Sequence, residues 1–254
     1  MPEYTHEHLA RAVERHEIEP RFQPQIDLST GVIVAVELLA RWRSAEFGLV
    51  QPASFIPVAE DGGQINDIGA FMLDESTRCA TALRDCGLEF GVSVNVSAVQ
   101  LDDEHVFTRF MQLVDDAGLD HAGLTVELTE SRAFADPQLA ASRLRVLADA
   151  GFGISIDDFG TGVTSLNQLD IVPATELKID RSLVQAGAHD AALADAVRAG
   201  HDRGLRIVAE GVETPEQAEL VAALGCDRAQ GYLYSRPVTF DELIALVAND
   251  QSTA

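Results

Sequence analysis

Carboxylates, amides and one lysine recur at matching places along this chain: Glu37, Asn95, Glu127, the pair Asp157-Asp158, Lys178, Glu210 and Gln230. Each lies in or at the end of a short apolar run, as in Val126-Glu127-Leu128, Ile156-Asp157 and Leu177-Lys178-Ile179. Burying an unpaired carboxylate costs several kcal/mol, so acids in such settings ask for a partner. Carboxylates that converge also raise one another's pKa unless a cation sits among them. A set made of Glu, Asp and Asn oxygens, with neither His nor Cys, selects the hard ions Mg²⁺ or Mn²⁺ over zinc or copper. Adjacent aspartates at a strand end can splay to two ions with one side chain bridging, the arrangement of two-metal phosphoryl chemistry. Among such acids, Lys178 can hold an attacking water or neutralise a phosphate oxygen, with Asp180 placed to fix it. Asp102-Asp103-Glu104 and Asp115-Asp116 stand beside expected helix ends and read as solvated or capping acids. The two-glycine turn Asp158-Phe159-Gly160-Thr161-Gly162 is by itself no more than a turn.

Positioning these groups requires a scaffold that brings distant segments to one place. A polar, charged lead-in runs to about Glu19 and reads as helix; Phe22 to Ile26 and Val32 to Leu39, split by Asp27-Leu28-Ser29-Thr30-Gly31, then read as a hairpin. Six further runs begin at Phe90, Leu124, Phe152, Thr175, Leu205 and Ala229, and their near-continuous apolarity suggests parallel strands buried on both faces. Helices between them carry capping-box spacings at Ser97–Gln100, Thr214–Gln217 and Thr239–Glu242. Gly87, Gly118, Gly151, Gly204 and Gly225 mark helix ends. Eight strands alternating with helices in 254 residues predict an α/β fold, a modified (β/α)8 barrel with one antiparallel strand from the opening hairpin. An open doubly wound sheet is the alternative, but no Gly-x-Gly-x-x-Gly follows the first strand. In a barrel the working residues sit at the C-terminal strand ends, where the acids and amides named above fall. With no linker or repeat in view, residues 1–254 read as one domain, 1–19 being the lead-in and 249–254 a tail.

Composition narrows the partners. Asp and Glu number 41 against 18 Lys and Arg, a formal charge of −23, which repels phosphate backbones and argues against DNA or RNA. A phosphate substrate would then need cations between it and the protein. No stretch reaches the roughly 18 apolar residues of a membrane span, and the N-terminus is not a basic-then-apolar leader, so a cytoplasmic location is expected. Cys79, Cys86 and Cys226 are odd in number and form no close pair, and read as small core residues.

Taken together and in order, the motifs resemble one family. Phe22-Gln23-Pro24, Glu37-Leu38-Leu39-Ala40-Arg41-Trp42, Phe55-Ile56-Pro57, Asn95-Val96-Ser97, Glu127-Leu128-Thr129-Glu130, Asp157 to Gly162, Lys178-Ile179-Asp180, Glu210-Gly211-Val212-Glu213 and Gln230-Gly231-Tyr232 are similar, from Arg21 to about Val238, to the EAL-domain phosphodiesterases. These hydrolyse the bacterial second messenger cyclic di-GMP. The resemblance implies that Glu37, Asn95, Glu127 and Asp157 bind one metal ion, that Asp157, Asp158 and Glu210 surround a second, and that Lys178 contacts the nucleophilic water. It further implies that Gln23, Arg41 and Gln230 contact the dinucleotide and that Glu130, Asp180 and Glu213 brace the loops. Water would open one phosphodiester to give the linear dinucleotide pGpG. Relatives often dimerise and carry regulatory domains, which would make a second copy and a regulatory domain or protein the other partners. Two departures stand out: the namesake Glu-Ala-Leu reads Glu37-Leu38-Leu39, and Val163-Thr164-Ser165-Leu166 stands where an aromatic and two serines are common. Leu38 should point away from Glu37 and be tolerated.

The rival class is a catalytically weak cyclic di-GMP receptor or protein-interaction module, but none of the family's ligand positions is lost. An enolising Mg²⁺ barrel enzyme would place carboxylates similarly; the Asp-Asp pair favours phosphoryl transfer.

Overall fold

The structure, a computed structural model, describes residues 4–88, 90–129, 136–161, 171–186 and 191–251. Its strands are β1 (Ile18–Asp27), β2 (Ile33–Ser44), β3 (Gly48–Val50), β4 (Gly91–Ser97), β5 (Leu124–Thr129), β6 (Gly153–Phe159), β7 (Glu176–Ile179), β8 (Arg206–Ala209) and β9 (Arg228–Ala229). Its helices are α1 (His6–Glu14), α2 (Pro52–Gly62), α3 (Ile65–Asp85), α4 (Ala98–Asp102), α5 (Glu104–Ala117), α6 (Pro137–Asp149), α7 (Arg181–Ala186), α8 (Ala191–His201), α9 (Pro215–Leu224) and α10 (Phe240–Gln251).

The sheet runs β1-β9-β8-β7-β6-β5-β4-β2-β3, and a further β1–β2 pairing closes it into an eight-stranded ring with β3 outside. β1 is antiparallel to both of its ring neighbours, β2 and β9, and the other ring pairings are parallel. The barrel with an antiparallel strand, expected from the eight apolar runs, is therefore the observed fold. The three capping boxes form: Ser97 and Thr214 each bond the helix start reciprocally with Gln100 and Gln217, and Glu242 accepts from the Thr239 amide at 2.8 Å. Gly118 and Gly225 end their helices at φ of +59° and +95°, a region that favours glycine.

Two expectations are corrected. The lead-in is helical only to Glu14, and β1 begins at Ile18, where Glu19 bonds Arg21 and, from β2, Arg43. α10 continues to Gln251, so the segment from 249 begins as helix. The strands are buried on both faces, as expected, but the two faces differ in character. Val94, Val126, Ile154, Ile156, Leu177 and Ile207 are buried against the helices, whereas the alternate row, Ser93, Glu127, Ser155, Glu176 and Lys178, is buried and largely polar, with Val208 beside Lys178 its apolar member. That row faces the barrel axis, because Lys178 on β7 meets Glu37 of β2 and Glu127 of β5.

Candidate active site

The barrel mouth is built around Lys178, fully buried on β7. Its Nζ lies 3.1 Å from Glu37 Oε2, 2.7 Å from Glu127 Oε2, 3.1 Å from Asp157 Oδ1 and 2.8 Å from Glu210 Oε1. Glu37 comes from β2, Glu127 from β5 and Asp157 from β6, while Glu210 directly follows β8 and extends the ladder through its amide to the Ile179 carbonyl. Two carboxamides complete the ring of contacts. Asn95 Nδ2 donates to Glu37 Oε1 at 2.8 Å, and Gln230 Nε2 donates to Glu37 Oε2 at 2.7 Å and Glu210 Oε1 at 2.8 Å.

Asp157 and Asp158 would ordinarily point to opposite faces of β6. A one-residue bulge intervenes, since Ile156 pairs with Leu177 but Phe159 pairs with Ile179, and Asp158 takes φ of +55°. This left-handed backbone is costly for a residue other than glycine, and such strain concentrates at functional positions. It delivers both carboxylates to the mouth, where Asp157, Asp158 and Glu210 place oxygens within 4.8 Å of one another; Glu37, Glu127 and Asp157 do the same deeper in. The turn that follows is held by Thr161, whose hydroxyl donates to the Asp158 carbonyl.

Electrostatics follow from burial. Burial, reinforced by Glu37 and opposed by Lys178, pushes Glu127 well above the usual carboxylate range. Glu210 is likewise pushed well up, by burial first, and Asp157 is raised for the same reason. The Asp158 carboxylate, at the open side of the mouth, is pushed up to about 6 by partial desolvation and by Asp157. Glu37 goes the other way. Its burial is outweighed by Lys178 and by the amides of Gln230 and Asn95. Burial alone would lower the Lys178 ammonium, but the four acids hold it well above its ordinary value.

One ammonium cannot neutralise five carboxylates, and Glu127 Oε1, completely buried, has no hydrogen-bond partner among the described residues. All donors here are oxygens, which fits a hard divalent cation. The residues present thus suit Mg²⁺ or Mn²⁺ at the two carboxylate groups that share Asp157.

Outside the acids, a cleft of about 410 Å³ opens over the mouth, lined by Gln23, Asp180, Arg181, Glu213, Gln230 and Tyr232 together with the outer acids. Gln23 is the β1 register partner of Glu37 and donates to the Ser235 carbonyl at 3.3 Å. Arg41 stands farther along β2, half-buried, its guanidinium on the Ala40 carbonyl and within electrostatic reach of Tyr232 and Glu37. Asp180 accepts from the Ser182 amide at the start of α7, while Lys178 pairs with the four acids above. The Glu213 backbone amide is tied to Gln217. Glu130 and the segment Val163-Thr164-Ser165-Leu166 lie outside the described residues. Leu38 is buried and alternates with Glu37, as expected of a tolerated change. Two cations escape a reading of the sequence: Arg181, lining the cleft, and Arg236, whose guanidinium lies 4.1 Å from the Tyr232 ring centre. Only Arg181 carries a signal, its place next to Lys178-Ile179-Asp180.

Fold and site together define a barrel protein whose C-terminal mouth gathers a cluster of acids that could hold metal ions beneath an open cleft. The chain matches the EAL domain family over residues 6–237 and belongs to that family. It is 40% identical over 245 residues to the bifunctional diguanylate cyclase/cyclic di-GMP phosphodiesterase MucR of Pseudomonas aeruginosa, covering 94% of this chain and 36% of that protein. It is 32% identical to the cyclic di-GMP phosphodiesterase PdeR of Escherichia coli, over 91% of this chain and 35% of PdeR. The chain thus spans about a third of the length of these relatives. Among solved structures, the MucR phosphodiesterase in complex with c-di-GMP superposes with a TM-score of 0.86 at 38% identity, covering 93% of this chain and 98% of that one. The EAL enzyme Bd1971, in a form bound to cAMP and cyclic di-GMP, gives 0.89 at 30% identity over 95% of this chain and 68% of that one. Among the described residues, no helix is long and apolar enough to cross a membrane.

Proposed function

We propose that this chain hydrolyses cyclic di-GMP to linear pGpG with two Mg²⁺ or Mn²⁺ ions, in the cytoplasm, as a single domain spanning residues 1–254. The observation that carries this reading is the convergence of four carboxylates on one buried ammonium, with Asp158 beside them and Glu127 Oε1 left unpartnered among the described residues. The names of the relatives supply the substrate. Glu37, Asn95, Glu127 and Asp157 would hold one ion, and Asp157, Asp158 and Glu210 the other. Bound there, the cations supply Lewis acidity toward a phosphate oxygen and make an adjacent water acidic enough to attack. Lys178 orients that water and balances the charge that develops on phosphorus oxygens, its position set by four acids. Asp158 and Glu210, on the cleft side, would take and return the proton. Gln23, Arg41 and Gln230 contact the dinucleotide, Arg181 adds a cation to the cleft, and the exposed Tyr232 ring offers a face for a base. Glu130, Asp180 and Glu213 brace the surrounding loops. A second copy and a regulatory domain or protein are the remaining proposed partners.

The test is incubation of the purified chain with cyclic di-GMP and Mn²⁺, followed by chromatography for pGpG. Metal-dependent appearance of pGpG supports the reading. Tight nucleotide binding with no product would assign the chain to receptors instead.

A further inference from the structure

We propose that Glu60, a buried acid of α2 outside the acid cluster, is a positioning residue that holds Asn95 in place through the hydroxyl of Ser97. The inference rests on the reading above in which Asn95 faces a metal ion. Glu60 is 5% exposed and Ser97 4%. The Ser97 hydroxyl donates to Glu60 Oε1 at 2.5 Å and accepts from the Val99 amide at 3.3 Å, while the Ser97 amide donates to Gln100 Oε1 at 3.1 Å. Its single proton is thus committed to Glu60, and its oxygen to the first turn of α4. Ser97 is the last residue of β4, two residues past Asn95 and on the same side of the strand. Where Ser97 is fixed, the strand end carrying Asn95 is fixed.

Packing does not do this alone. A cavity of about 170 Å³ lies directly beside Asn95 and Ser97, walled by Ile56, Ile65 and Met72. Side chains next to such a space lose the contacts that would restrain them. The backbone of α3 is equally close, since a Cβ on Gly69 would stand 1.7 Å from the Gln100 carboxamide, so Gln100 is pinned between α3 and the Ser97 amide. The remaining freedom of the strand end is toward the cavity, and the Glu60–Ser97 bond opposes it. A buried carboxylate is an expensive way to fill helix space; the other buried positions of α2, Phe55 and Ala59, are apolar. Partners that orient metal ligands from behind commonly carry about 10- to 100-fold of metal affinity.

The test is calorimetric titration of Mn²⁺ into the full chain and its variants, with unfolding temperatures measured alongside. Glu60→Ala is expected to weaken Mn²⁺ binding about tenfold or more. Glu60→Gln, whose carbonyl still accepts from Ser97, should return it to within about threefold of wild type, which a general loss of packing would not do. Ser97→Ala, which also removes the cap on Val99, should weaken binding, and adding Glu60→Ala to it should cost little more, because the contact Glu60 makes is already gone. Unchanged Mn²⁺ affinity in Glu60→Ala, equal weakening by Ala and Gln, or additive effects of the two sites would each overturn the proposal. Should Glu60→Ala not fold, Ser97→Ala decides, weakened affinity supporting the proposal and wild-type affinity refuting it. A wild-type chain that takes up no Mn²⁺ removes the metal reading together with this one, whereas wild-type binding unaltered in Glu60→Ala removes this one alone.

Discussion

Replacing Lys178 by methionine takes away the one cation that, among the described residues, sits between Glu37, Glu127, Asp157 and Glu210, which approach it at 2.7 to 3.1 Å. Methionine keeps most of the volume, so the loss is electrostatic. Removing one member of a buried ion cluster costs about 3–5 kcal/mol because the remaining charges stay uncompensated. In a chain of this size each kcal/mol shifts the unfolding temperature by about 2–4 °C, giving a drop of about 6–20 °C in metal-free buffer. The deficit should depend on pH, and its sign follows from the raised carboxylates. Acids whose folded pKa lies above the unfolded value contribute stability that is full at low pH and lost as pH rises through the folded pKa. Glu127, Glu210 and Asp157 are already raised, and without Lys178 they rise further. Glu37, held low chiefly by Lys178, joins them. Thermal unfolding followed by circular dichroism should therefore show a small loss near about pH 5 and a large one near about pH 8. Added Mn²⁺ should recover much of it by standing in for the missing charge. Turnover should stay at least about 10²-fold below wild type even then, near 2.7 kcal/mol of transition-state stabilisation. A variant as stable as wild type near pH 8 without metal would refute this balance of charges.

Other outcomes follow from the same geometry. Activity should require Mg²⁺ or Mn²⁺ and be poorly supported by Ca²⁺, which prefers more ligands at longer distances; equal turnover in Ca²⁺ and Mg²⁺ would contradict the rigid strand-end site. Asp158, pushed to about 6, must lose its proton to bind an ion, so Mn²⁺ affinity should climb as pH rises through that value, with proton release measurable by calorimetry in buffers of different ionisation enthalpy. Gly231→Ala would set a Cβ 2.0 Å from the Val212 carbonyl oxygen, which is backbone and cannot swing aside, so a loss of about 1–3 kcal/mol in denaturant unfolding is expected, with Gln230 displaced and turnover reduced.

The strand ends are legible in the sequence because a polar residue inside an apolar run is anomalous under either strand face, and eight such runs match the number of ring members. β3 is not legible: three residues, one of them the exposed Leu49, carry no period. The start of β1 is hidden because Ile18-Glu19-Pro20-Arg21 looks like a charged lead-in, and the Arg43 of β2 that joins Arg21 on Glu19 is distant in sequence. The bulge that turns Asp158 toward Asp157 has no sequence mark, since aspartate visits the left-handed region only occasionally and an Asp-Asp pair does not announce it. Glu60 gives no signal because an acid near the end of a helix ordinarily faces water. Only the position of β4 shows that it does not.

Ring closure joins Ile26 to Ala229, so the first strand waits for the last. Gln230, the residue after that last strand, is also the one that ties Glu37 to Glu210. A chain emerging from the ribosome can build the β1–β2 hairpin early, yet it holds two unpaired strand borders, on β1 and β8, until Arg228 and Ala229 arrive. Contacts that distant in sequence form slowly, and open borders are where chains adhere to one another. Completion of the acid cluster and protection from aggregation are therefore acquired in the same late event, which makes the segment from β9 onward a checkpoint on the whole barrel: a product truncated ahead of β9 should lose metal binding and be sticky together, while one shortened only within α10 should close its ring.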